Sequence, residues 1–405
     1  MTTHEEWQAR AAAWLASVAH EFGAEARVGL SLEQDLAVAR RYMAARYDAG
    51  FSGITIAEEF GGRGLSPLHK VLFETLEGRA GMPAGYFGVS TGMPLPIIVR
   101  YGEDRDWTRE RVIAALRGEE IWCQLFSEPG AGSDLAGLRT RAEAVDGDPA
   151  RGWRVNGQKL WTTFAQYSDY GILVARSDPA VAKHKGLTFF WVDMKAPGIT
   201  VRPFRLANGD VQCNEVFFDD VVLADSQRLG PVGGGFAVAM ATLMIERYAA
   251  ADVDGFGPSI AAFIDLVRPL ILNRRSALHD GRVRSVIARN HALRQGLESI
   301  RRRAMLAMEA GMEPGPEGAL NKLFSVRSRQ KLSELALDLQ GGAGLSYHEG
   351  LSPKTDWAAS WMGAPSLRLA GGADEMLLNT IAEKILGLPQ DHRPDKGVPF
   401  NQIPA

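Results

Sequence analysis

Apolar residues recur at spacings of three and four from Trp7 to Glu21 and again from Leu32 to Tyr47, the pattern of helices that bury one stripe. Phe60-Gly61-Gly62-Arg63-Gly64-Leu65-Ser66-Pro67 interrupts this period as a loop rich in helix breakers. From Ile121 to about Leu223 the pattern becomes that of short apolar strands, among them Gly171 to Ala175, Leu187 to Val192 and Glu215 to Phe218. Trp153-Arg154-Val155 and Gln158-Lys159-Leu160-Trp161 flank Asn156-Gly157, the favoured pair of a two-residue type I′ turn, and predict a hairpin there. After Gly233-Gly234-Gly235 the helical period returns with the almost wholly apolar Phe236 to Ile245 and persists to about Leu388. The chain is therefore expected to be an α+β multidomain protein. It divides into an N-terminal helical domain over 1–120, a central β-barrel or sandwich over 121–228, a C-terminal helical bundle over 229–388 and a Pro-rich polar tail over 389–405.

A length of 405 residues fits two or three packed domains better than one core. The formal net charge of -3 provides no electrostatic footprint for nucleic acid, so no nucleic-acid partner is expected. The opening Met1-Thr2-Thr3-His4-Glu5-Glu6 lacks the basic start and apolar core of a secretory signal, and no apolar run reaches membrane-spanning length. The expectation is a cytoplasmic protein with no membrane partner. Cys123 and Cys213 lie far apart without Cys or His neighbours at ligand spacing, which predicts core thiols and neither a disulfide nor a metal site.

Two segments carry the candidate chemistry. Phe126-Ser127-Glu128-Pro129-Gly130-Ala131-Gly132-Ser133-Asp134 concentrates small residues and hydroxyls, so that backbone N–H groups can approach a flat or anionic ligand. Alone it reads equally well as a turn at a domain boundary. About thirty residues on stands Asn156-Gly157-Gln158-Lys159-Leu160-Trp161-Thr162-Thr163. Together, and in an α, then β, then α order, they resemble the flavin-binding centre of the acyl-CoA dehydrogenase family. A third segment, Asp338-Leu339-Gln340-Gly341-Gly342-Ala343-Gly344, resembles the family's Gln-x-x-Gly-Gly-x-Gly stretch, with Asp338 in place of the usual Gln. Its alternative reading is a Gly-rich helix C-terminus. No Gly-x-Gly-x-x-Gly joins a strand to a helix, and no Walker loop is present.

The resemblance implies a C-terminal four-helix bundle, FAD as cofactor and an acyl-CoA substrate. It implies that Gln124, Phe126, Ser127, Gly132 and Ser133 line the flavin and the thioester entrance, with Ser133 also touching the acyl-CoA. Trp161, Thr162 and Thr163 would meet the isoalloxazine, while Asp338, Gly341 and Gly342 would reach the FAD of a neighbouring subunit. As a strand aromatic, Trp161 also reads as simple core. The family's chemistry removes an α-proton with a carboxylate while flavin N5 takes the β-hydride. The carboxylate needs desolvation and the developing enolate needs preorganised donors.

Many relatives carry the base in a C-terminal Glu-Gly-Thr-Ser-Glu segment, but the matching stretch here is Gly371-Gly372-Ala373-Asp374-Glu375. Gly371 has no carboxylate, although its backbone N–H still suits a thioester oxygen. Resemblance assigns Gly372 to substrate, and Ala373 and Glu375 to cofactor. In isovaleryl-like and long-chain-like relatives the base lies on the helix after the β-domain, just before an Arg, which points here to Glu246 and Arg247. Glu246 ends an apolar run with no cation at helical spacing, as a poised base would; its other reading is a partner of a distant Arg. Arg247 would then position CoA or substrate.

The family's Arg-Gln-Phe-Gly stretch is also missing. Asn273-Arg274-Arg275-Ser276 and Gly281-Arg282-Val283-Arg284 follow instead, and such basic runs, like Arg301-Arg302-Arg303, read first as solvated faces. Both departures resemble a bacterial branch acting on steroid side chains and other bulky acyl groups. The expected assembly is a homodimer, a homotetramer or an α2β2 heterotetramer, with an electron-transfer flavoprotein as acceptor. Two alternatives stand beside this reading: a non-catalytic subunit of a heteromeric enzyme, and a related flavoenzyme that is nitroalkane oxidase-like or oxidises an acyl-carrier-protein thioester.

Overall fold

The structure is a computed structural model that describes residues 3–249, 258–310, 312, 315–346 and 356–403, with side chains described for all of these but 244–249 and 308–309. Helices α1 (His4–Phe22), α2 (Leu32–Asp48), α3 (Pro67–Arg79), α4 (Gly88–Gly92), α5 (Pro94–Tyr101) and α6 (Arg105–Leu116) precede the first strand. The first two start at capping boxes, Thr3 with Glu6 and Ser31 with Gln34, which satisfy N–H groups that the helix itself leaves open. Their predicted apolar stripes pack around Trp7, Leu15, Tyr42, Phe51 and Phe73.

Seven strands follow: β1 (Trp122–Leu125), β2 (Arg141–Ala144), β3 (Trp153–Thr163), β4 (Tyr170–Arg176), β5 (Leu187–Asp193), β6 (Ile199–Phe204) and β7 (Cys213–Leu223). They form one mixed sheet in the order β1-β4-β2-β3-β7-β6, with β5 also on β4. Both faces are covered, because alternate residues join different cores: Trp122, Ile172 and Phe189 pack with α5 and α6, whereas Cys123, Leu173 and Phe190 pack with Trp153 and Val216. Cys123 and Cys213 are buried thiols, and burial pushes the Cys123 thiol up to about 12.

The hairpin expected at Asn156-Gly157 is not formed. Both residues lie inside β3, which runs unbroken along β7, and the register slips there from Val155 opposite Val221 to Gly157 opposite Phe218. The extra residue belongs to β7, where Asp220 sits at φ 50. The Asn156 side chain clamps it, donating from Nδ2 to Asp220 Oδ1 at 3.0 Å and accepting the Asp220 N–H at 2.9 Å. A local turn preference has thus lost to a long strand pairing that needs Asn156 as a bulge clamp. Gly157, at φ 151, is required for closeness as well as conformation, since a Cβ there would stand 2.6 Å from Thr140 Oγ1.

Helix α7 (Gly235–Ala249) leaves the sheet and is followed by α8 (Ile260–Val267), strands β8 (Ile271–Leu272) and β9 (Arg275–Ser276), α9 (Gly281–Glu309), α10 (Gly318–Gln340), α11 (Trp357–Leu369) and α12 (Asp374–Thr380). The chain divides into two compact units, one of 1–204, 211–246 and 392–405, the other of 205–210 and 247–391. The second has its own core of Phe263, Val267, Val283, Leu332, Ala336 and Trp357. The Asn273-Arg274 pair of the basic run forms its two-residue hairpin turn, both at positive φ (49 and 64), between β8 and β9. Among the described residues no helix is long and apolar enough to cross a membrane.

Gly157→Ala is expected to destabilise the first unit by about 2–3 kcal/mol through strain and overpacking. Gly130→Ala, where a Cβ meets nothing within 4 Å, should stay within about 0.5 kcal/mol of wild type. Urea denaturation followed by tryptophan fluorescence checks both.

Candidate active site

The loop after β1 is a built structure. Glu128 and Ala131 exchange both backbone hydrogen bonds (2.9 and 3.1 Å) across Pro129-Gly130, a tight turn for which proline presets φ. Below the turn, the fully buried Lys159 of β3 donates from Nζ to Glu128 Oε1 at 2.8 Å and to the Phe126 carbonyl at 3.0 Å. Glu128 also accepts the N–H groups of Arg139 at 2.6 Å and Thr140 at 2.9 Å. The loop is therefore stapled at both of its ends to one carboxylate.

The two partners feel this pair unequally. At Glu128 burial works against the charge, but Lys159 and the donors from Thr140 and Arg139 outweigh it and hold the carboxyl below its ordinary value. At Lys159 burial wins against the pull of Glu128 and pushes the ammonium below its usual range. The backbone donors on the carboxylate and the nearby Arg176 acting on Lys159 both feed the asymmetry.

The two motif segments meet where the Leu160 N–H donates to the Ser127 carbonyl at 2.8 Å. At that point β3 bulges, its register passing from Lys159 opposite Val216 to Thr162 opposite Asn214. Trp161 occupies the bulge at φ 63, an outlier for a bulky residue, and its side chain is 55% exposed, edge-on to Phe204 at 5.1 Å. The reading of Trp161 as core is corrected: the bulge turns it out of the sheet. Beside it Thr162 is buried, its Oγ1 without a partner among the described residues, and Asn214, whose Nδ2 holds the Thr162 carbonyl at 2.9 Å, has an Oδ1 likewise without one. A flat exposed ring in strained backbone, next to polar atoms without a protein partner, fits a planar heterocycle with hydrogen-bonding edges.

The remaining expected residues fall into distinct places. Gln124 is half-buried on β1; Phe126 turns its ring into the core, edge-on to Phe189 at 5.6 Å, so that its backbone faces the staple. Ser127 is half-buried, Gly132 and Ser133 are exposed at the loop tip, and Thr163 is half-buried. A cavity of about 270 Å³ opens between Pro129, Gly130, Gly137, Arg139 and Gly157.

In the second unit, Asp338 is exposed in the last turn of α10, and Gly341, at φ 56, and Gly342 follow it with open space where a Cβ would stand. Both readings of this segment keep their footing, since it does end a helix. Gly371 and Gly372 adopt φ 65 and 102, and Lys322 Nζ binds the carbonyls on either side of Gly371, those of Ala370 and Gly372. Ala373 is buried and Glu375 exposed. Asp374 is held by Arg327 at 2.8 Å and Arg368 at 2.6 Å, which keep its carboxyl low against the cost of burial. The segment is thus rigidly held without a catalytic side chain at Gly371. Glu246 and Arg247 lie in the backbone of α7, and their side chains are outside those described.

Sequence reading passed over Glu128, Lys159 and Asn214 as supports. The signal was present in part, because each of the two motifs carries one member of the buried ion pair.

With this geometry, comparison with known proteins is direct. Residues 2–116, 123–221 and 233–386 match the profiles for the acyl-CoA dehydrogenase N-terminal, middle and C-terminal domains. The chain is 35% identical over 396 residues to the acyl-CoA dehydrogenase IpdE1 of Mycobacterium tuberculosis, covering 96% of this chain and 98% of IpdE1. It is 38% identical over 331 residues to the acyl-CoA dehydrogenase FadE34 of the same organism, covering 81% of this chain but only 44% of FadE34. Among solved structures, the ChsE4-ChsE5 complex from M. tuberculosis superposes with a TM-score of 0.78 at 25% identity, over 96% of this chain and 98% of that one. The chain belongs to the acyl-CoA dehydrogenase family of oxidoreductases, whose general reaction is flavin-dependent dehydrogenation of an acyl-CoA.

Removing either partner of the buried pair, as in Glu128→Gln or Lys159→Met, should cost about 3–5 kcal/mol in denaturant unfolding. Because the carboxyl of Glu128 is lowered from 4.5 in the fold, its contribution is complete above that value and is lost as pH falls through the folded pKa. Wild type should therefore lose stability below about pH 4.5 more steeply than Glu128→Gln, measured as midpoint against pH.

Proposed function

We propose that the protein is an FAD-dependent acyl-CoA dehydrogenase that introduces an α,β double bond into an acyl-CoA thioester. The observation that carries this reading is the bulge at Trp161, which sets an exposed indole and the unpartnered Thr162 hydroxyl beside the stapled Ser127 loop. Bound FAD would supply the hydride acceptor for the β-carbon. Trp161, Thr162 and Thr163 hold the isoalloxazine together with the backbone and side chains of Gln124 to Ser133, and Ser133 also contacts the acyl-CoA. Glu246 removes the α-proton, the neighbouring Arg247 positions the substrate, and the N–H of Gly371 donates to the thioester oxygen as negative charge develops there. Locking of the Ala370 and Gly372 carbonyls by Lys322 supports that last role, since a preorganised donor gains nothing from a loose backbone.

By its departures at Gly371 and at the missing Arg-Gln-Phe-Gly stretch, the substrate is a bulky acyl group of the steroid side-chain kind, and an electron-transfer flavoprotein takes the electrons. Asp338, Gly341 and Gly342, exposed at the end of α10, are the surface offered to the FAD of a second subunit. Two observations favour a second reading, a subunit that works only in a heteromer: the usual base position is Gly371, and a structural relative was solved as a complex of two different chains.

Anaerobic titration with a panel of acyl-CoAs, following flavin absorbance, separates these. Bleaching by at least one thioester, slowed about 10²–10⁴-fold in Glu246→Gln, is the expected result for a general base. Undiminished bleaching in the variant would remove Glu246 from the role. A chain purified without flavin, inert after FAD is added and active only once a second subunit is supplied, would establish the heteromeric reading.

A further inference from the structure

The last described residues return to the first unit and pack where the flavin-side loop ends. Pro399 bridges to Ala182, the Phe400 N–H donates to the Val181 carbonyl at 2.9 Å, and the Asn401 N–H to the Pro179 carbonyl at 3.0 Å. These bonds lay the segment along the connection between β4 and β5. From there two side chains reach the loop, Asp395 through Lys183 and Phe400 through Arg176, with the Arg139 guanidinium also over the Phe400 ring at 5.7 Å.

Phe400 lies over the guanidinium of Arg176, 3.5 Å from ring centroid to Cζ. Arg176 is only 3% exposed, and its donors go to the carbonyls of Leu138 at 3.1 Å, Ala136 at 2.5 Å and Lys183 at 3.2 Å. The cation therefore fixes the loop's exit, and the Phe400 ring lies over the guanidinium whose N–H groups hold the three carbonyls. Lys183 Nζ in turn bridges Asp134, at 3.0 and 2.9 Å, to Asp395 at 2.5 Å. Asp134 closes the Gly-Ala-Gly-Ser-Asp run, so the loop is held from the tail at two points: at Asp134 through Lys183, and at Ala136 and Leu138 through Arg176.

We infer that residues 392–403 act as a strap that sets the shape of loop 130–138, with Phe400 and Asp395 as positioning residues for the ligand that the loop holds. The inference rests on the reading that this ligand is FAD. The staple at Glu128 fixes the loop's beginning, the turn closed by the buried Ala131 and the return at Arg139, while Gly132 and Ser133 are exposed at the tip. The strap fixes the stretch that follows the tip. It explains why a Pro-rich, polar stretch after the last helix is ordered against the sheet.

Hydrogen exchange of the full chain without flavin, read on peptides within 126–139 and on α1 as a control, tests the strap directly. Phe400→Ala should speed exchange in the loop about tenfold with α1 unchanged, the scale of one partly desolvated cation–π contact. The same variant should weaken FAD binding by a similar factor in a fluorescence titration, and Phe400→Trp, which keeps an aromatic face, should restore both. Wild-type exchange and wild-type FAD affinity in Phe400→Ala would overturn the strap. Should that variant loosen α1 as well, Asp395→Asn decides: faster exchange confined to 130–138 supports the strap, and unchanged exchange overturns it. A wild-type chain that takes up no FAD would instead remove the flavin reading, leaving the strap to be judged on exchange alone.

Discussion

The buried ion pair of Lys159 and Glu128 is the interaction on which the candidate site depends. A lysine with no exposure must find acceptors within reach, and this one has the Phe126 carbonyl and the Glu128 carboxylate. Because Lys159 is on β3 and its acceptors are on the loop after β1, satisfying one charge brings the two motif segments together. The geometry then follows in order: the loop is drawn onto β3, the Ser127 carbonyl meets the Leu160 N–H, and β3 buckles outward at the next residue. A buried pair is weak evidence for net stability, but a strong device for specifying which segments meet.

Two bulges of opposite sense make that buckling possible without ruining the sheet. The first adds a residue to β7 at Asp220, the second adds one to β3 at Trp161, and the register lost at the first is regained at the second. Val155, before the first bulge, and Val216, between the two, both stay in the same core. The strain of a tryptophan and an aspartate in left-handed backbone is thereby confined to the few residues that leave the sheet, and the aspartate is compensated by the Asn156 clamp. Strain of this kind concentrates where a side chain has to be aimed, and here it aims an indole at solvent.

In the second unit, rigidity around Gly371 comes from charge rather than from packing. Lys322 gathers two carbonyls, and Arg327 and Arg368 gather Asp374, so that the five residues from Ala370 to Asp374, two of them glycines, have little freedom left. Glycine lets the backbone adopt its positive φ, and the cations remove the entropy that glycine would otherwise bring. Such a segment is suited to presenting backbone groups.

The α, β, α order and the helix stripes were legible in the sequence, because period and turn residues act over a few neighbours and need no partner. The family followed from the same local motifs. What local pattern could not reveal was decided by partners far along the chain. Asn156-Gly157 reads as a turn until β7 is laid beside it, Trp161 reads both as a flavin contact and as core until the bulge turns it outward, and Phe400 reads as tail until Arg176 lies beneath it. The reason is common to all three: strand register, burial and cation pairing are set by residues tens to hundreds of positions away. A sequence states which residues can make those contacts, and only the folded chain chooses among them.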